Sequence, residues 1–272
     1  PACGGQHCGT RARPQPLPCG VLIAQFGARL RRQRLEGFGS RQQPRAAALH
    51  LGTKTRVGVH VEMATDEGLT CQRWLRDSAA KRFVFEQLYG EFFEGPDCCD
   101  ILDVGGGLTA FTRILAGRHR YHLVDVLAHD QIENARLIET AVGRSFIHAG
   151  DWHDLSAEFH ERIIANDIFP NVDQRLDVFL EKFLPRCTSL KLSLTWYRTP
   201  RYYKTKRVDG DEVFYMLAWN HEQLAGLLEK YASRIVGYEP EILFTTQKSL
   251  YENGRNVCIV EFMLVEFFVR NF

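Results

Sequence analysis

Ile101-Leu102-Asp103-Val104-Gly105-Gly106-Gly107-Leu108-Thr109-Ala110 decides the fold. A short apolar run reads as a buried strand, and it leads into three glycines and then a helix starting near Thr109. Glycines let a ligand approach the backbone, and a helix N-terminus offers free N–H groups. Gly105, Gly107 and Ala110 match G-x-G-x-x-A, the spacing of dinucleotide-binding turns. Asp103 argues against that match, because a dehydrogenase normally buries an apolar side chain two residues before the first glycine. A carboxylate at a strand end needs a polar partner, and a ligand ammonium is a good one.

Outward from this turn the chain alternates strand and helix. Upstream, residues 69–93 read as one helix, with Trp74, Phe83, Leu88, Tyr89, Phe92 and Phe93 on its apolar face and Gly95-Pro96 as its stop. The strands are expected at 99–104, 121–126, 145–149, 162–166 and 189–196. Helices are expected at 109–116, 130–142, 156–159, 172–183 and 221–231. A polar and aromatic stretch, 197–212, interrupts the pattern. Residues 235–246 and 256–268 read as two long strands joined by a turn at Asn253-Gly254. Short connections between alternating elements predict a doubly wound, mostly parallel α/β sheet of seven strands, closed by a C-terminal antiparallel hairpin.

The chain has 272 residues, 45% hydrophobic and 25% charged, the balance of an ordinary globular protein. No uninterrupted apolar run is long enough for a transmembrane helix. Eight cysteines are too few for a disulfide scaffold, and no secretory segment opens the chain, so the expected compartment is the cytoplasm. Residues 1–62 differ from the rest: they hold ten Lys or Arg against two Glu, five of the ten prolines and nine of the 22 glycines. The remaining 24 basic and 31 acidic residues make the main domain acidic, which disfavours nucleic acid as a partner. Cys3, His7, Cys8 and Cys19 fit no zinc spacing, so no metal is expected. The segment 1–62 is expected to be a basic, disordered tail, or sequence upstream of a start at Met63, with one domain over 63–272.

Asp103-Val104-Gly105-Gly106-Gly107 at a strand end resembles the first motif of the class I S-adenosylmethionine-dependent methyltransferases, E/D-x-G-x-G, with its Rossmann-like fold. The resemblance spans about 70–268. It implies a pattern of cofactor-binding residues. Asp103, Gly105 and Gly107 would border the amino-acid end of S-adenosyl-L-methionine. Asp125, 22 residues after Asp103 at the end of the second strand, would accept from both ribose hydroxyls, with Val126 against adenine. Asp151, after the third strand, would accept from the adenine amino group, with Trp152 flanking the ring. Thr109 stands where many members carry a third glycine.

Catalysis has fainter signals. Asn166-Asp167-Ile168-Phe169 loosely resembles the N-P-P-[YF] element of enzymes that methylate planar amino nitrogens, without its two prolines. Asn166 and Asp167 are the expected catalytic residues, with Phe169 against the acceptor and His153 as a further base. Trp196, Tyr197 and Tyr202 sit in a stretch of aromatic and basic residues suited to an aromatic or carboxylate-bearing acceptor. The reading is methyl transfer to a nitrogen, oxygen or carbon of a small molecule. An NAD(P)-dependent oxidoreductase and a catalytically silent partner subunit are the alternatives. Oligomeric state is not legible. A chain starting at Met63 is expected to unfold cooperatively and to bind cofactor as the full chain does; loss of either, seen by calorimetry, would make residues 1–62 integral to the domain.

Overall fold

Ile101 to Val104 are all buried, as in a strand covered on both faces. The rest of the fold is arranged around that strand. The computed structural model describes residues 68–95, 97–206, 213–244, 249, 251 and 253–264. The expected tail, 1–62, and the boundary at Met63 lie outside these residues.

Among the described residues three helices lead in: α1 (Thr70–Asp77), α2 (Ala79–Tyr89) and α3 (Glu91–Glu94). There follow β1 (Asp100–Val104), α4 (Ala110–Arg118), β2 (Arg120–Asp125), α5 (Ile132–Val142) and β3 (Ile147–Ala149). Next come β4 (His160–Ala165), α6 (Leu176–Phe183), β5 (Cys187–Trp196), β6 (Arg201–Lys206) and β7 (Val213–Ala218). The last are α7 (His221–Leu228), α8 (Pro240–Leu243) and β8 (Asn256–Met263).

The main sheet runs β3-β2-β1-β4-β5-β8. All its pairs are parallel except β5 with β8. The strand order reverses between β1 and β4, and in open α/β sheets a ligand crevice lies at the carboxyl end of that reversal. Successive β1 residues face opposite cores. Ile101 joins Leu88, Leu108, Leu115 and Leu123 on one face, while Leu102 and Val104 join Phe179, Phe183 and Leu192 on the other. Among the described residues no helix is long and apolar enough to cross a membrane.

Four expectations change. The single helix over 69–93 is three. Ser78 is extended and its hydroxyl accepts from Lys81 N–H, which restarts the helix, and Gly90 divides α2 from α3. No helix forms at 156–159; a 3-10 turn at Trp152–Asp154 comes earlier, capped by the Asp151 carboxylate. The helix expected from 172 begins at Leu176, because Asp173 turns back to accept from Arg175 N–H.

The fourth change concerns the sixth expected strand, 235–246. It is reduced to one bridge, Ile235 to Phe262, followed by α8. Pro240 has no N–H for a sheet ladder, and it suits the first turn of a helix. Among the described residues the main sheet therefore has six strands, and β8 lacks the expected hairpin partner. A separate antiparallel hairpin, β6 with β7, arises instead from the aromatic stretch.

Two expected acceptor contacts are core residues. The Phe169 ring is 1% exposed and packs against Trp152 and Phe179 at 5.9 and 4.7 Å between centroids. Trp196 is equally buried, against His221 and Phe244. Aromatic rings at strand ends carry large apolar area, and here burial claims it. Phe169→Ala is expected to lower stability by about 3–5 kcal/mol in a denaturant titration, with no selective loss of acceptor binding.

Candidate active site

At the strand-order reversal a cleft of about 720 Å³ opens, within the range of pockets that bury a small ligand. Its floor is the glycine turn. Gly105 and Gly107 have φ of +72° and +70°, conformations natural to glycine. A Cβ on Gly105 would lie 2.8 Å from the Ile168 side chain, and one on Gly107 would lie 2.5 Å from Cys71 Sγ. Gly106 backs onto the Asp103 carboxyl, which a Cβ there would strike. The turn is therefore pressed by protein in the directions a side chain would take, and a substitution there displaces Ile168, Asp103 or Cys71.

Asp103 is 2% exposed and does not line the cleft. Its partners are two buried hydroxyls: Tyr89 donates to one oxygen at 2.9 Å and Tyr121 to the other at 2.6 Å. The expected ligand ammonium is replaced by this pair, because the glycine backbone stands between the carboxyl and the cleft. Burial pushes its pKa up, the two hydroxyls oppose, and the Asp125 charge adds to the rise, to about 7.

Asp125, at the end of β2, does line the cleft. It accepts from Gly107 N–H at 3.0 Å and from Leu127 N–H at 2.7 Å. Val126 beside it is 62% exposed and also lines the cleft. Asp151 accepts from His153 N–H and, at 2.8 Å, from Arg175. Burial would raise Asp151, but those two donors outweigh it and hold the carboxyl below its ordinary value. Trp152 reaches the cleft wall, yet its ring is buried, its N–H donates to Asp173 at 2.7 Å, and the Arg175 guanidinium lies 4.7 Å from its centroid.

Asn166 and Asp167 follow β4 and line the cleft beside the glycine turn. Asn166 Oδ1 accepts from the Ser193 hydroxyl at 3.1 Å, which orients the amide and leaves its second lone pair for another donor. Asp167 has φ of +59°, and its N–H donates to Ser193 Oγ at 2.8 Å. Its carboxylate meets Lys81 at 3.2 Å and Arg255 at 2.9 Å.

Three other expected residues stand outside the cleft lining. His153 is exposed on the 3-10 turn. Tyr197 is buried, with its hydroxyl 3.3 Å from that of Tyr203. Tyr202 is exposed and stacks on Tyr215 across the β6–β7 hairpin.

Several cleft residues carried no sequence signal. Cys71, Trp74 and Lys81 come from α1 and α2, which lie against the glycine turn, and Arg255 and Tyr251 come from just before β8. Burial, then the charges of Asp130 and Asp125, push the Cys71 thiol up to about 12. Among the described residues no group of three His, Cys, Asp or Glu side chains is placed to hold a metal ion.

No protein-family profile matches the chain, and no curated protein matches it in sequence. Among solved structures it is similar to the 1,6-didemethyltoxoflavin-N1-methyltransferase of Burkholderia thailandensis, at 15% identity over 69% of this chain and 79% of that one, with a TM-score of 0.46. A S-adenosylmethionine-dependent methyltransferase from Clostridium acetobutylicum matches at 14% identity over 69% and 93%, TM-score 0.46. Magnesium protoporphyrin IX methyltransferase from Synechocystis matches at 11% identity over 71% and 83%, TM-score 0.44.

The Asp103 shift has a pH consequence. Its unfolded value is 3.8 and its folded value is raised to about 7. Between those values the folded chain binds more protons than the unfolded one, so the stability from this group is complete below the unfolded value and is lost as pH rises through about 7. From about pH 5 to about pH 8 the melting midpoint of the native chain is expected to fall by at least about 4 °C more than that of Asp103→Asn. Parallel thermal melts across that range check it; equal slopes would place the Asp103 pKa near its unfolded value.

Proposed function

We propose that the chain is an S-adenosylmethionine-dependent methyltransferase acting on a small molecule. The observation that carries this reading is the meeting of Asp125 with the glycine turn at the mouth of one cleft. The residues fit the cofactor. The three glycines line the cleft, a carboxylate stands at the end of β2, and an exposed apolar side chain, Val126, lies next to it. Asp125, Asp130, Asp151 and Asp173 line the cleft against Arg175 among the groups around β2 and Trp152, which favours a cationic ligand.

In this reading Asp125 would hold the ribose hydroxyls, Val126 would lie against adenine, and Asp151 would take the adenine amino group. The glycine turn would border the amino-acid end. Trp152 supports the wall by orienting Arg175 and Asp173. When bound, the cofactor supplies a methyl group on a sulfonium, ready for in-line displacement.

What remains for the protein is alignment, which is worth much of such a barrier. Ser193 fixes the Asn166 amide and the Asp167 backbone, so the floor of the acceptor space is rigid. No residue here needs to become a nucleophile. Which atom accepts the methyl group, nitrogen, oxygen or carbon, depends on the acceptor. The oxidoreductase reading shares the glycine turn and Asp125.

Calorimetric titration with S-adenosylmethionine, S-adenosylhomocysteine and NADH separates the readings. The first two are expected to bind and NADH is not. Asp125→Ala is expected to weaken S-adenosylmethionine binding by about 1.5–3 kcal/mol, the range for hydrogen bonds to a charged group, with a melting curve as the fold control. Binding of NADH alone would overturn the assignment.

A further inference from the structure

Lys81, Arg255 and Asp167 form a group in the cleft that methyl-donor binding does not use. Two cations share one carboxylate: Lys81 Nζ lies 3.2 Å from Asp167, and Arg255 Nη1 lies 2.9 Å from it. The group keeps one net positive charge next to the glycine turn, where Ile168, the residue after Asp167, touches Gly105. The acids around β2 and Trp152 give the cleft the opposite sign there.

Arg255 is set up as a recognition group. Its side chain is 18% exposed, and its guanidinium lies 4.0 Å from the Tyr251 ring centroid, which fixes its plane. Its Nη1 alone donates to both Asp167 carboxylate oxygens. Its Nε is buried and has no hydrogen-bond partner among the described residues. An unpartnered buried donor on a charged group is costly, and negative charge from an anionic ligand beside the guanidinium offsets part of that cost. Planar guanidinium groups match carboxylates in a two-pronged geometry.

The surroundings describe the rest of the ligand. Lys81 Nζ sits 4.6 Å from the Trp74 ring centroid, and Trp74, Phe85 and Met216 line the same cleft. These side chains suit a flat, apolar body.

We propose that Lys81 and Arg255 bind the carboxylate of the methyl acceptor, a small and largely flat organic acid. The proposal rests on the methyl-transfer reading for the word acceptor, and on the cleft alone for the charge. The single excess charge of the three groups matches a monoanion. A phosphate monoester shares the chemistry and serves as a separate arm of the test.

The full chain, with and without S-adenosylhomocysteine, is titrated with 4-hydroxybenzoate and 4-aminobenzoate, with their neutral carboxamides, and with phenyl phosphate. Binding is read by calorimetry and by tryptophan fluorescence. The acids are expected to bind at least about tenfold tighter than the amides. Lys81→Gln and Arg255→Gln are each expected to bring that ratio to within about threefold, while S-adenosylhomocysteine still binds. Lys81 is partly exposed, so its variant keeps the test open if Arg255→Gln does not fold. Asp167→Asn frees both cations and is expected to tighten the acids alone.

Equal affinity for acid and amide, no binding of either acid, or a ratio that survives both Gln substitutions would overturn the proposal. Tighter binding of phenyl phosphate than of either acid would overturn the choice of a carboxylate. Failure of S-adenosylhomocysteine to bind would sink the methyl-transfer reading; the acid preference of the unliganded chain is then judged separately.

Discussion

The Asp103 carboxyl, closed off from water and held by Tyr89 and Tyr121, is the constraint around which the cleft is built. Gly106 lies against it so closely that no side chain fits between them. A buried ionisable group without partners is strongly unfavourable, and each hydroxyl bond to it returns only part of the loss. Hence burial still dominates the direction of its pKa. The turn gains shape from this arrangement. Its backbone is clamped between Asp103 behind, Cys71 above Gly107 and Ile168 beside Gly105. The open face is left bare for a ligand.

The loop after β4 is held by its own bonds. Asn166 accepts from Ser193, and Ser193 accepts from Asp167 N–H. Asp167 takes a left-handed backbone conformation that costs a non-glycine residue about 1–3 kcal/mol. Ser193 on the backbone, and Lys81 and Arg255 on the carboxylate, hold it there. Such networks rigidify a site when every member is satisfied. The Arg255 Nε is the member left open.

The strands around the glycine turn were legible because buried parallel strands read as apolar runs, and β1, β2, β4 and β5 fall close to their expected places. Asp125 was legible because the turn and the next strand end are fixed neighbours in a parallel sheet. Ile235 to Phe244 misled because β-branched and aromatic residues look like a strand, while Pro240 quietly favours a helix. Phe169 and Trp196 misled for a different reason. A strand end tells where a residue is, but not whether its ring faces a cleft or a core. Lys81 and Arg255 gave no signal at all, since they lie 86 and 88 residues from Asp167 along the chain and only the fold unites them.

The polarity of the cleft follows from these same long-range contacts. Asp125 and Asp151 stand at the ends of neighbouring strands, so a parallel sheet brings acids together at one side without any extra device. The opposite sign needs α2 and the segment before β8, which reach the cleft from the two ends of the described chain. On the methyl-transfer reading the acidic side holds a cation more strongly than a neutral ligand, so its attraction weakens once the positive sulfur has given up its methyl group. The basic side keeps its hold on an acid whether or not a remote atom has been methylated.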